Sequence, residues 1–121
     1  PDAMAGAYQH PENVSDISID IYIAPHLTSP ERTQQLIDFI LAFDNSQTIR
    51  IKPTLQQLSV PTLVAWGTDD PFFPLDAAHW IEQNFAGPVT VREIKGGRMF
   101  WPEERASELN ALIGAQWAVR D

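Results

Sequence analysis

An α/β fold is the architecture that this sequence predicts, and three observations predict it. The run Leu63-Val64-Ala65-Trp66 is apolar at every residue, as a strand buried on both faces requires, and Pro61 can open such a strand without continuing it. A second β-prone run, Val89 to Ile94, follows at a distance that holds a helix, from about Leu75 to Asn84, with Gly87-Pro88 as its stop. Parallel strands need a crossover of that length, usually helical, so strand, helix and strand read as one unit.

Taken in order, the first element has two readings. Ile17, Ile19 and Ile21 alternate with Ser18 and Asp20, the period of a strand, whereas Ser15 before Asp16 and the abrupt Ala24-Pro25 exit suit a short helix. The next element is a helix from Pro30 to about Phe43. Ser29 is its N-cap, Pro30 its first helical residue and Glu31 its first-turn acid, and Leu36, Ile37, Ile40, Leu41 and Phe43 recur at helical spacing. Asp44-Asn45-Ser46 ends it, and Pro53 to Leu58 reads as a helical turn before the strand. Gly67 turns the chain at once after that strand, Gly96-Gly97 turns it after the second, and a closing helix runs from Pro102. Glu103 and Glu104 suit the positive end of that helix, Arg105 is placed for first-turn pairing, and Leu109, Leu112, Ile113 and Trp117 form its buried stripe.

Composition narrows the partners. The 121 residues are 44% hydrophobic, enough for a core, and no run approaches the roughly 20 apolar residues of a membrane helix. A formal charge of −8, with eight basic residues, repels phosphate backbones and argues against nucleic acid as a partner. The absence of cysteine excludes disulfides and thiolate metal sites. Neither a metal site nor a cofactor is implied by the residues, and the compartment stays open, with the cytoplasm as a default. Ten prolines and six glycines punctuate the elements and form no low-complexity linker.

The chemistry is concentrated in Gly67-Thr68-Asp69-Asp70-Pro71-Phe72-Phe73-Pro74. Carboxylates at the carboxyl end of a parallel strand lie where open α/β sheets place their ligands. An equally simple reading is that Asp69 or Asp70 caps the turn into the following helix. Phe72, Phe73, Phe100 and Trp101 lie on the two loops that leave the strands at this end, where they either line a pocket for an apolar ligand or pack as core. His79 lies on the helix between the strands and His26 and His10 on loops, and none has a spacing that marks it as a base.

The segment Pro61-Thr62-Leu63-Val64-Ala65-Trp66-Gly67-Thr68-Asp69-Asp70-Pro71-Phe72-Phe73-Pro74 resembles the acid-bearing segment of α/β-hydrolases, in which an apolar strand and G-x-x-D precede a loop and a helix. The likeness covers about 60 residues, from Val60 to Arg120, in the order strand, acid, helix, strand, histidine loop, helix. It implies that the chain is the C-terminal portion of an α/β-hydrolase fold, with residues 1–55 a cap-like helical segment and residues 56–121 the C-terminal core segment. It implies hydrolysis of an ester, an epoxide or a carbon–halogen bond in a small apolar substrate, with Asp70 as the triad acid, Asp69 as a non-catalytic neighbour, and Phe72, Phe73, Phe100 and Trp101 beside the substrate. It also favours helix over strand for residues 15–22.

Two departures accompany the likeness. No G-x-S-x-G elbow occurs, since Ser15, Ser18, Ser29, Ser46, Ser59 and Ser107 all lack glycines at that spacing. Met99 stands where the family has its histidine, and a thioether cannot relay a proton near neutral pH. The resemblance implies a catalytic domain roughly twice this length, and the chain opens on Pro1, as a piece of a longer or processed polypeptide would. Two strands make a poor core, so the segment is expected to fold against a missing N-terminal half, a second chain or another copy of itself. The alternatives are a non-catalytic relative that binds without a base, and an interaction domain with no catalytic ancestry.

Overall fold

The computed structural model describes residues 5–14 and 16–118. Its elements are mixed helices and a small two-stranded parallel sheet, an α/β arrangement. The helices are α1 (Asp16–Tyr22), α2 (Pro30–Leu41), α3 (Ser46–Leu55), α4 (Asp76–Asn84), α5 (Trp101–Glu104) and α6 (Ala106–Ala118), and the strands are β1 (Thr62–Gly67) and β2 (Val89–Ile94). The chain divides into two compact units, residues 12–52 and residues 1–11 with 53–121.

In the smaller unit, Asp16–Tyr22 is helix, and Ser15 lies outside the described residues. Alternating isoleucines did not make a strand because no partner strand lies in this unit among the described residues. Ser29 caps α2 as its spacing predicts, its Oγ accepting from the Arg32 N–H at 3.3 Å, with Pro30 in the first turn. The helix stops at Leu41, two residues short of the expected Phe43. Asp44-Asn45-Ser46 ends α2 but also starts α3, which the sequence showed only as a turn at its far end. The Asp44 carboxylate accepts from the Ser46 N–H at 2.9 Å and from its hydroxyl at 2.5 Å, fixing the first turn. Pro53 falls inside α3 close to its C-terminus, so the one N–H it removes costs a single late bond.

The larger unit holds the sheet. β1 and β2 pair in parallel with Thr62 opposite Val89 and Gly67 opposite Ile94. α4 is the crossover and packs on both strands. Its contact residue is Ala78, fully buried and small enough to let the helix sit close to the sheet. Gly87 turns the chain into β2 because a side chain there would meet the Ser59 carbonyl carbon at 2.6 Å, while its N–H bonds Leu58 O at 2.8 Å. The buried apolar residues are few: Ala7, Tyr8, Val64, Ala78, Ile94 and Trp101.

The closing helix is interrupted at Arg105, whose backbone leaves helical geometry at φ −127° and ψ 43°. Its guanidinium donates to Lys95 O at 2.9 Å and to Glu108 at 2.6 Å, so the first-turn pairing expected of Arg105 forms forward, with Glu108. Glu103 and Glu104 are engaged elsewhere. Tyr8 donates its hydroxyl to Glu103 at 3.0 Å, and the amides of Gln9 and His10 donate to Glu104 at 2.8 and 2.7 Å. These bonds strap residues 5–10 across α5, and the Phe100 N–H donates to Ala7 O at 2.9 Å on the same strap.

Candidate functional site

The candidate site is the pair of loops that leave the carboxyl ends of β1 and β2. They are fastened to each other by four contacts. Thr68 N–H donates to Ile94 O at 3.1 Å, Asp69 N–H donates to Gly97 O at 3.0 Å, and Gly96 N–H donates to the Thr68 hydroxyl at 2.9 Å, which itself donates to Asp69 Oδ1 at 2.7 Å. Gly67 supplies the fourth, a backbone approach so close that an added Cβ would lie 2.2 Å from Gly97 O. Gly96 turns the second loop at φ +73°, a conformation glycine adopts without steric cost.

Within this frame Asp70 is half-buried and its two oxygens differ. Oδ1 accepts from the backbone N–H groups of Phe72 at 2.8 Å and Phe73 at 3.0 Å. Oδ2 has no hydrogen bond among the described residues. The aromatic loop is fixed from the other side by Trp66, whose indole Nε1 donates to Phe73 O at 2.8 Å. Asp69 is exposed and faces Thr68. The carboxylate of Asp70 is thus held at one oxygen and open at the other, a geometry suited to orienting a donor such as an imidazole N–H.

The other residues singled out in the sequence take different places. Phe72 and Phe73 are each half exposed on the β1 loop. Phe100 packs against Tyr8 of the N-terminal strap with the rings tilted by 40° and their centroids 4.9 Å apart. Trp101 is buried at the start of α5, and Met99, on the β2 loop, is 41% exposed. His79 engages both ring nitrogens, Nε2 with Glu93 at 3.2 Å and Nδ1 with Glu82 at 3.5 Å. Among the described residues no cluster of three or more histidine, aspartate or glutamate side chains is placed to hold a metal ion.

An open apolar groove of about 570 Å³ lies along β1, lined by Leu63, Ala65, Trp101, Leu109, Ile113 and Trp117 among others. Asp70, Phe72, Phe73 and Phe100 are not among its lining residues. No protein-family model, no curated protein and no solved structure matches this chain. Thr68 and the strap residue Gln9 were not singled out in the sequence, because a lone threonine after a glycine and a glutamine near the start carry no spacing signal. No helix of the described residues is long and apolar enough to cross a membrane.

Proposed function

We propose that this chain is the C-terminal portion of an α/β-hydrolase-type enzyme and supplies its acid, Asp70, while the nucleophile and its oxyanion donors lie outside these 121 residues. The observation that carries the reading is the asymmetry of the Asp70 carboxylate at the carboxyl end of β1: Oδ1 is occupied by two backbone amides and Oδ2 has no hydrogen bond among the described residues. An orienting acid needs that arrangement, because it must be immobile and still accept one N–H. In such a mechanism Asp70 fixes the tautomer and direction of a histidine and stabilises its cation without taking the proton. The substrate is a small apolar molecule carrying a hydrolysable ester, epoxide or carbon–halogen bond, with the exposed rings of Phe72 and Phe73 as its apolar neighbours.

Met99 favours a second reading, a binding protein of the same build that has lost its base. Its exposed thioether stands on the loop where the base is expected and offers no basic atom. Hydrolysis assays on a polypeptide joining this chain to its nucleophile-bearing portion separate the two. Activity that disappears in Asp70→Asn supports the enzyme. Inactivity relieved by Met99→His supports the binding protein, and activity unchanged in Asp70→Asn removes Asp70 from the chemistry altogether.

A further inference from the structure

The pairing of β1 and β2 continues past the ends of the strands as a closed ring of hydrogen bonds. Thr68 N–H still follows the ladder, donating to Ile94 O at 3.1 Å. Beyond it, Asp69 N–H donates to Gly97 O at 3.0 Å and Gly96 N–H donates to the Thr68 hydroxyl at 2.9 Å, so Thr68-Asp69 and Gly96-Gly97 are joined at both corners. Asp70 directly follows this ring on one loop, and Arg98-Met99 directly follow it on the other. The ring is therefore the point from which the acid and Met99 diverge.

One of its bonds depends on a side chain. The Asp69 amide and the Gly97 carbonyl are backbone groups that almost any residue would supply, whereas the Gly96 N–H is met by the threonine oxygen. A hydroxyl has one proton to donate and accepts through its lone pairs. That proton is committed to Asp69 Oδ1 at 2.7 Å, a distance typical of a bond to a charged acceptor, which leaves the lone pairs for the Gly96 N–H and polarises the oxygen that receives it. β-Branching adds a second constraint, because threonine is stiffer at χ1 than an unbranched side chain. The resemblance gives Asp69 no part in the chemistry. Its exposed carboxylate nonetheless sets the direction of the hydroxyl that carries the second loop.

We propose that Thr68, oriented by Asp69, is a positioning residue. Its hydroxyl holds the Gly96-Gly97 turn against the acid loop and so fixes the separation of the Asp70 carboxylate from the loop on which the base of a hydrolase of this build is expected. The catalytic consequence rests on the function proposed above, whereas the coupling of the two loops does not.

Residue-resolved amide exchange of this chain tests the coupling, and kinetics of the assembled protein test its consequence. Thr68→Val keeps the shape of the side chain and removes the hydroxyl, so the Gly96 amide is expected to exchange about tenfold faster, as the loss of one bond to a partly buried amide implies. The Asp69 amide, whose bond to Gly97 O the substitution does not touch, is expected to follow by about threefold, because the ring has lost its other corner. The amides of Thr68, Phe72 and Phe73 keep their protection. Asp69→Ala leaves the hydroxyl in place but frees its proton, and is expected to speed Gly96 exchange by about threefold. Thr68→Ser keeps the bond and is expected to rescue Gly96 to within about threefold of the parent. In the assembled protein Thr68→Val lowers kcat about tenfold with KM within about twofold, and serine restores kcat.

Faster exchange confined to Gly96 would make the hydroxyl a local bond and overturn the proposal. A Thr68→Val protein with the parent kcat, in a protein that Asp70→Asn inactivates, would overturn the positioning role and leave the hydrolase reading standing. Activity retained in Asp70→Asn would instead overturn the hydrolase reading, and the exchange pattern would then decide the coupling alone. Should Thr68→Val fail to fold, Asp69→Ala gives the decision: unchanged Gly96 exchange in that variant overturns the proposal.

Discussion

Replacing Asp70 by asparagine and by alanine separates the cap that its carboxylate forms from the orienting role proposed for it. Oδ1 holds the loop by accepting from Phe72 N–H at 2.8 Å and Phe73 N–H at 3.0 Å, a capping arrangement whose removal costs about 1 kcal/mol, within a range of roughly 0.5–2. Asparagine keeps a carbonyl oxygen at that position, so Asp70→Asn is expected within about 0.5 kcal/mol of the parent, whereas Asp70→Ala loses the full cap. In a domain of this size each kcal/mol moves the melting temperature by roughly 4–8 °C, so the variants separate in a calorimetric scan. Oδ2 has the opposite sensitivity. Asparagine puts an N–H₂ donor where a histidine N–H must be accepted, and this exchange in a triad acid costs about 10⁴ in kcat, or roughly 5 kcal/mol at 1.36 per decade. The expected pattern is therefore two equally inactive variants of unequal stability, measured with an activated ester, an epoxide and a haloalkane on the assembled protein. If asparagine destabilises as much as alanine, the division of labour between the oxygens is wrong. If it hydrolyses at the parent rate, Asp70 is a cap and nothing more.

The remaining predictions concern the frame around that loop. Gly67→Ala sets a methyl group 2.2 Å from Gly97 O, a backbone atom that cannot yield alone, and is expected to cost about 3 kcal/mol in urea unfolding. Gly114→Ala in α6 meets no heavy atom within 4 Å and is expected to gain about 0.5–1 kcal/mol in the same assay, so equal effects at the two glycines would refute the steric argument. Glu104→Ala frees the amides of Gln9 and His10, and faster amide exchange confined to residues 5–10 is the expected consequence; unchanged exchange would mean the strap is held by Tyr8 and Phe100 instead. The carboxyl of Asp44 titrates below its ordinary 3.8, first because of the Ser46 hydroxyl and then because of the Ser46 amide. A depressed carboxyl stabilises the fold above its unfolded value and loses that contribution as the pH falls through the folded one, so the start of α3 is expected to fray only in acid. An NMR titration in which Ser46→Ala fails to raise the Asp44 value would refute this cause.

β1, α4 and β2 were legible because each is marked twice, by its apolar pattern and by the proline or glycine at its boundary. Pro61 and Gly67 bracket β1, and Gly87-Pro88 separates α4 from β2. α3 was hidden because Asp44-Asn45-Ser46 signals a stop and a start with the same residues, and Pro53 broke the helical pattern that would have chosen between them. The break at Arg105 was hidden for another reason. It depends on a guanidinium reaching Lys95 O, ten residues back, which no local periodicity records. The same holds for the strap, since Tyr8 and Glu103 meet across 95 positions.

Sequence singled out Asp70 twice over, as a cap of the turn and, by resemblance, as a triad acid, and the geometry explains why the two readings meet there. An aspartate two residues before a turn amide is the signature of a cap, and a strand, G-x-x-D and a loop are the signature of a hydrolase acid; at Asp70 the two coincide in one side chain. They are not competing explanations. The cap immobilises Oδ1, and that immobilisation is what would make Oδ2 an effective orienting acceptor, since a freely rotating carboxylate would spend its interaction on restricting itself. What distinguishes a catalytic acid from a plain cap here is therefore the presence of a donor at Oδ2. Met99 cannot supply it, and His79 has both nitrogens turned to Glu82 and Glu93. On the proposed reading the donor comes from outside the described contacts of this loop. A crosslink or chemical-shift response at Asp70 when the nucleophile-bearing portion is added is the observation that would complete the site, and a loop unaffected by that addition would leave only the cap.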